Sequence, residues 1–330
     1  MSLLKQSLVY KPFKYPEFVE ITKTHEEIHW VADEADLSED ITDWKNKLTQ
    51  QEKEFVKKIL QLFTQSDVVV GANYHDYLIP KIKNNEARNM LSSFANRESE
   101  HQRAYALLND TLGFDDEIYS EFLEYKEMAD KVDHMYQNSN ASQHDLALTM
   151  AKSVFNEGVS LFASFVMLLN LQRYGKLKGM NTIVEWSIRD ETMHVDGISK
   201  MFRIFCEEHP RIVNDELKKS IYDIARETVA LEDKFIHLAF ENNDIQGVTE
   251  KEVKDYIRYI ADRRLIQLGL KPNWKQKENP LSWLEYILNG ASHDNFFEKR
   301  VTEYSVNGMT GDWGWGDTEE EIELELAGAA

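Results

Sequence analysis

The sequence predicts an all-α protein, one domain built around a bundle of long helices, and three observations carry that prediction. Apolar residues recur at spacings of three and four through several long stretches. Runs that alternate apolar and polar side chains, as half-buried strands require, are scarce. The 330 residues include only 14 Gly and 6 Pro, too few to punctuate a fold of many short strands. At 42% apolar, the chain has ample material for a core.

The elements follow in order. Residues 1–48 are expected to be irregular, with Pro12, Pro16, scattered aromatics and the acidic run "DEADLSED" at 33–40. "TQQE" at 49–52 fits a capping box, in which Thr49 and Glu52 satisfy each other's backbone amides, and helical periodicity then continues to Pro80. A second helix is expected over 84–112, stopped by Gly113, and a third over 143–174, opened by "SQHD". The fourth spans 181–208, closed by Pro210, and two more lie near 211–242 and 250–268. Past Arg300 the signal gives way to "SVNGMTGDWGWGDTEEEIELELAGAA", which reads as a flexible tail. The expected division is therefore an irregular segment 1–48, a helical domain 49–300 and a tail 301–330.

Composition excludes several functions. No run of 18 or more apolar residues and no secretion signal is visible, so a cytoplasmic, membrane-free protein is expected. The single cysteine, Cys206, cannot form an internal disulfide and reads as a small buried residue. A formal net charge of −20 repels phosphate backbones, and no nucleic-acid partner is expected.

The chemistry lies in acidic residues on faces that should be apolar. Leu60, Phe63, Asp67, Val70 and Tyr74 share one stripe of the first helix, and Phe94, Glu98, His101, Tyr105 and Leu108 share one on the second. Between Leu146 and Val184 the only acid is Glu157, set in the strongly apolar "VFNEGVSLFASFVMLLNL". The fourth helix aligns Val184, Glu191, His194, Ile198, Met201 and Phe205. An ionised carboxylate inside such a face is costly unless it is paired or holds a metal. Residues i and i+3 are helix neighbours, so Glu-x-x-His can aim an oxygen and a nitrogen at one ion. Four-helix bundles that bind two iron or manganese ions use one such motif on each of two helices and a carboxylate on each of the others. Asp67, Glu98, His101, Glu157, Glu191 and His194 supply that set. Glu26 and His29 repeat the spacing outside any apolar stripe, and are taken as coincidence.

On these residues the chain resembles the small, radical-generating subunit of class I ribonucleotide reductase, from about Trp30 to Tyr304. The family orders its ligands as Asp or Glu, then Glu-x-x-His with a radical Tyr four residues on, then Glu, then Asp-Glu-x-x-His. Here stand Asp67, Glu98, His101 with Tyr105, Glu157, and Asp190 with Glu191 and His194; "SD" at 66–67, "RDETMH" at 189–194 and "NFFEKRVTEY" at 295–304 also look like family signatures.

The resemblance implies a ferritin-like helical bundle with additional helices, holding two iron ions or, alternatively, two manganese ions. It implies that the metal pair reacts with an oxidant and that the oxidising equivalent is stored on Tyr105, shielded by neighbours such as Leu161 and Phe165. Trp30 matches a surface-directed tryptophan hydrogen-bonded to the aspartate that Asp190 matches. Tyr304, with Glu298 beside it, matches the tail tyrosine that passes the radical to a large catalytic subunit, where ribonucleotides become deoxyribonucleotides. A homodimer is implied too. Trp44 and Trp186 receive no role beyond packing. Leu161 stands where many relatives place Phe, and Ser187 at a position near the radical tyrosine that is often aliphatic. Trp313, Trp315 and "ELELAGAA" depart from common tails. Two other readings of the bundle are a stand-alone dinuclear oxidase or oxygenase with an open pocket, and a metal-storage shell.

Overall fold

The computed structural model describes residues 2–241 and 243–290, and the tail residues Glu298, Tyr304, Trp313 and Trp315 lie outside them. Among the described residues the regular structure is helical throughout, with no strand. The helices are α1 (Pro16–Glu27), α2 (Ser38–Asn46), α3 (Gln50–Asn73), α4 (Asn85–Leu112), α5 (Ile118–Glu121), α6 (Lys126–Tyr136), α7 (Gln143–Phe155), α8 (Phe162–Leu169), α9 (Lys178–Glu208), α10 (Asp215–Phe240), α11 (Glu250–Gln267) and α12 (Ser282–Gly290). The bundle centre is built from α3 packed on α4 and α7 packed on α9, with α4 and α9 in contact across it.

Local chemistry fixes most of the ends. Thr49 Oγ1 accepts from the Glu52 amide at 3.2 Å while Glu52 Oε2 accepts from the Thr49 amide at 2.9 Å, the reciprocal cap that the sequence predicts. Ser142 and Asp145 do the same for α7. Asn84 caps α4, which ends where Gly113 takes a left-handed conformation at φ 81°.

Two expectations give way. Residues 1–48 are not irregular throughout, because they carry α1 and α2. In α1 the inward positions are Phe18, Ile21 and His25, a helical spacing disguised by a histidine that is fully buried. The fourth long helix begins at Lys178, ahead of the expected 181. Its cap comes from elsewhere in the chain: Asp40 accepts from the amides of Gly179 at 3.0 Å and Met180 at 2.7 Å, and Asp43 from that of Leu177 at 3.0 Å. A carboxylate more than a hundred positions away thus does what a local Ser or Thr would do.

The first and third long helices are interrupted by π-helical turns. Residues Tyr74–Leu78 continue α3 in that form, and Asn156–Ser160 join α7 to α8. One residue added to a turn re-aims the side chains around it, and such turns gather at functional sites. The segment Gln143–Tyr174 is long and apolar enough to cross a membrane by length and composition alone, but its most apolar stretch is buried inside the bundle, with only the ends reaching solvent.

Candidate metal centre

The six inward-facing acids and imidazoles meet in one place. Ligand atoms of Asp67, Glu98, His101 and Glu191 lie within 4.8 Å of one another, as do those of Glu98, Glu157, Glu191 and His194. Glu98 and Glu191 belong to both groups, so the two groups share two carboxylates. All six side chains are buried. Glu26 and His29, set aside in the sequence, belong to neither group and are exposed.

The helices set this geometry. Asp67 comes from α3, Glu98 and His101 from consecutive turns of α4, and Glu191 and His194 from consecutive turns of α9. Close approach of α4 and α9 depends on Gly197, where an added Cβ would come within 2.8 Å of the Phe94 ring. Glu157 projects from the π turn after α7, and Arg264 Nε holds that turn by donating to the Gly158 carbonyl at 3.1 Å. A side chain at position 158 would run into the guanidinium, which is why a glycine follows the acid.

Whether these groups suit a pair of cations can be judged from their lone pairs. Both oxygens of Asp67, Glu98 and Glu191, Glu157 Oε1, and the Nδ1 atoms of His101 and His194 are buried without an aligned hydrogen-bond partner. So many unpaired polar atoms in one dry cluster are expensive unless something positive lies between them. The imidazoles face the carboxylates closely: His194 Nδ1 is 3.0 Å from Glu98 Oε1 and 3.2 Å from Glu157 Oε2, and His101 Nδ1 is 3.2 Å from Glu191 Oε1. Burial pushes Glu157 up to about 8 and raises Asp67 well above the usual carboxylate range, Glu98 and Glu191 adding repulsion. Burial would keep both imidazoles neutral, but the surrounding carboxylates reverse this and raise them far above an ordinary histidine. Four carboxylates and two imidazoles, short of positive charge and converging on two points, fit two divalent or trivalent ions.

The outer nitrogens are also tied down. Asp190 Oδ2 lies 3.2 Å from His101 Nε2, and since a carboxylate only accepts, Nε2 carries a proton and Nδ1 is the nitrogen turned toward the site. The same oxygen accepts from Trp30 Nε1 at 2.7 Å and from Arg97 Nη1 at 2.9 Å. Burial opposes its charge, yet His101, Arg97 and Trp30 hold Asp190 well below the usual carboxylate range. Trp30, expected to face the surface, is only 2% exposed. Trp186, partly exposed, packs beside it with ring centroids 5.0 Å apart, and Trp44 packs on Phe114.

On the other imidazole, His194 Nε2 lies 3.1 Å from His25 Nε2, and His25 Nδ1 lies 2.7 Å from Ser93 Oγ, whose hydroxyl donates to Glu26. The directions are forced from the carboxylate inward: Ser93 gives to Glu26, His25 gives to Ser93, His194 gives to His25. Nδ1 of His194 is again the nitrogen left for an ion. Burial and the nearby His194 lower His25 to about 2, so it stays neutral in this chain.

Tyr105 is buried, its hydroxyl donating to Ser187 Oγ at 3.0 Å and its ring packed on Phe63 with centroids 4.3 Å apart; Phe165 packs on Phe63 in turn. Sequence reasoning gave no role to Arg97, His25, Ser93 or Arg264. Arg97 lies beside Glu98 and looks like ordinary helix charge, and only its burial by the α1 segment betrays it.

The fold and site together define a helical bundle with a buried carboxylate–histidine cluster suited to a pair of metal ions. A family profile described as "Ribonucleotide reductase, small chain" matches residues 7–280. A chain of Invertebrate iridescent virus 3, described as a probable ribonucleoside-diphosphate reductase small subunit, is 40% identical over 96% of this chain and 89% of its own length. Small chain 1 of the Saccharomyces cerevisiae ribonucleoside-diphosphate reductase is 30% identical over 92% of this chain and 75% of its own. Among solved structures, the ribonucleotide reductase R2 subunit from Clostridium botulinum superposes with a TM-score of 0.82 at 22% identity, covering 87% of this chain and 94% of that one. The chain therefore belongs to the ribonucleotide reductase small-chain family. It is the small subunit of an oxidoreductase that works with a large subunit, and that membership disfavours the stand-alone oxidase reading.

Proposed function

We propose that Asp67, Glu98, His101, Glu157, Glu191 and His194 hold two redox-active metal ions, and that this subunit generates a radical for the large subunit's reduction of ribonucleotides. The observation that carries the reading is the convergence of unpaired ligand atoms into two groups sharing Glu98 and Glu191. The metal pair, when bound, supplies the one-electron oxidising power drawn from dioxygen. Iron is our first assignment and manganese the second; oxygen-rich sites with imidazole suit both. A neighbour in structure at 21% identity is a dimanganese(II) protein of Streptococcus sanguinis, which shares the fold.

The chain's own residues then divide the work. Tyr105 stores the oxidising equivalent as a neutral radical in a dry pocket floored by Phe63, where burial raises the phenol far above its usual pKa and keeps it protonated until oxidised. Asp190 joins Trp30 to His101 through one carboxylate oxygen, and Arg97 neutralises that oxygen so that both donors stay engaged. Trp30 and Asp190 form the inner end of the path to the large subunit. Tyr304 in the tail forms its outer end, with the tail docking on that subunit, and two copies of the chain form a homodimer. The reducing cytoplasm is the setting we assign.

The test is reconstitution with Fe(II) or Mn(II) and oxygen. Two metals per chain and a tyrosyl signal in electron paramagnetic resonance are expected. Tyr304→Phe should keep both and lose ribonucleotide reduction with the large subunit. Absence of a metal pair would overturn the reading.

A further inference from the structure

Each half of the site has its own phenol. Tyr105 stands four residues beyond His101, on the Asp67 side. Tyr74, on the stripe of Asp67 and at the start of the π turn after α3, stands on the Glu157 side and has no part in the reading above. It is fully buried, its ring edge-on to His194 with centroids 6.1 Å apart. Its hydroxyl donates to Glu157 Oε2 at 2.5 Å, while Glu157 Oε1 is left without a hydrogen-bond partner and free for an ion. A phenylalanine would fill the same space without a hydroxyl that needs a buried acceptor, so packing alone does not call for tyrosine here.

We propose that Tyr74 is a second oxidisable tyrosine of this subunit, with Glu157 as its proton acceptor. This rests on the proposed function, which supplies the oxidant, a metal pair oxidised by dioxygen. Tyr74 gives up one electron to that pair. Its Oη–H bond breaks and the proton moves along the existing hydrogen bond to Glu157 Oε2. The products are a neutral phenoxyl radical, a carboxylic acid and a metal pair reduced by one electron. A phenol that loses an electron becomes a strong acid, and in a dry interior the positive charge cannot persist, so an acceptor already in place decides which phenol is oxidised easily. Tyr74 has a carboxylate in contact; among the described residues Tyr105 has only the Ser187 hydroxyl, a poor base. Tyr74 is thus a store for the oxidising equivalent beside the Glu157 and His194 position, apart from the one at Tyr105.

The experiment reconstitutes the full chain with Fe(II) and dioxygen and freezes it at short times for electron paramagnetic resonance, with ring-deuterated tyrosine identifying tyrosyl signals by their narrowing. Wild type, Tyr74→Phe, Tyr105→Phe and the double variant are compared, each assayed for two irons per chain. The expected result is a tyrosyl signal in Tyr105→Phe that the double variant lacks. A silent, iron-loaded Tyr105→Phe beside a wild-type signal retained in Tyr74→Phe would overturn this proposal and leave the proposed function standing. Should Tyr105→Phe fail to load iron, early spectra of wild type and Tyr74→Phe decide: a component missing from the variant supports the proposal, identical spectra overturn it. No tyrosyl signal in iron-loaded wild type would end both readings.

Discussion

The two histidines of the site are braced in opposite ways. Behind His101 stands charge: Asp190 is clamped by Arg97 and Trp30, with every donor directed at one oxygen. Behind His194 stands a neutral chain, His25 then Ser93, that reaches an exposed carboxylate at Glu26. Both arrangements keep a proton on Nε2 and leave Nδ1 as the nitrogen for an ion, but they do so at different electrostatic cost. A carboxylate sealed in the interior requires a buried cation to balance it, whereas a relay of neutral donors requires only correct direction. The charged brace can hold an indole and an imidazole on one atom, a geometry suited to moving an electron and a proton together. The neutral brace positions its imidazole and little else. The phenols differ in the reverse sense, Tyr105 beside a hydroxyl and Tyr74 beside a carboxylate.

Removing the charge from the first brace should do the most damage. Arg97→Met leaves Asp190 ionised and buried without its contacting guanidinium, and should cost about 3–5 kcal/mol of stability in a denaturant titration of the metal-free chain. A loss under 1 kcal/mol would show that Asp190 finds relief elsewhere, from Arg189 for instance, whose Nε lies 4.0 Å from Oδ1. Breaking the second brace should leave the fold nearly intact and weaken metal binding instead. His25→Leu frees His194 to rotate, and affinity measured by competition with a chelator should fall about 10–100-fold. His25→Gln, which can still accept from His194, should recover part of it. Equal losses of stability in the Arg97 and His25 variants would erase the distinction drawn between the two sides.

A smaller effect is read in protons. In the metal-free chain at pH 7, Glu157 at about 8 is mostly protonated, and both ligand imidazoles are held charged by the carboxylates around them. Metal ions must displace these protons, so calorimetric titrations in buffers of different ionisation enthalpy should show net release, and affinity should strengthen as pH rises through about 8. The sign for stability is the reverse in the metal-free chain. A carboxyl raised from 4.5 to about 8 binds more protons folded than unfolded across that window, so its contribution to stability declines as pH rises through it. Bound metal should abolish the decline.

How much of this could be read beforehand depends on what each residue needs for its meaning. Asp67, Glu98, His101, Glu157, Glu191 and His194 were legible because helix periodicity alone puts a polar residue on an apolar stripe, and burying it there demands a reason. The caps at Thr49 and Ser142 were legible because their partners lie three residues away. Phe18, Ile21 and His25 hid α1, since a histidine counts as polar until something shows it buried. Asp40, Arg97, Ser93 and Arg264 look like surface residues, and each takes its role from a segment distant in the chain.

By itself the sequence determined the long helices of the bundle, their inward faces and the donor types available to an ion, because periodicity and burial cost act over a few residues. The folded bundle decided which lone pairs stay unpaired, which nitrogen of each histidine faces the site, that Trp30 is enclosed and that Tyr74 meets Glu157. Those are distances between side chains on different helices, and a distance of that kind is set by packing, which no local spacing encodes.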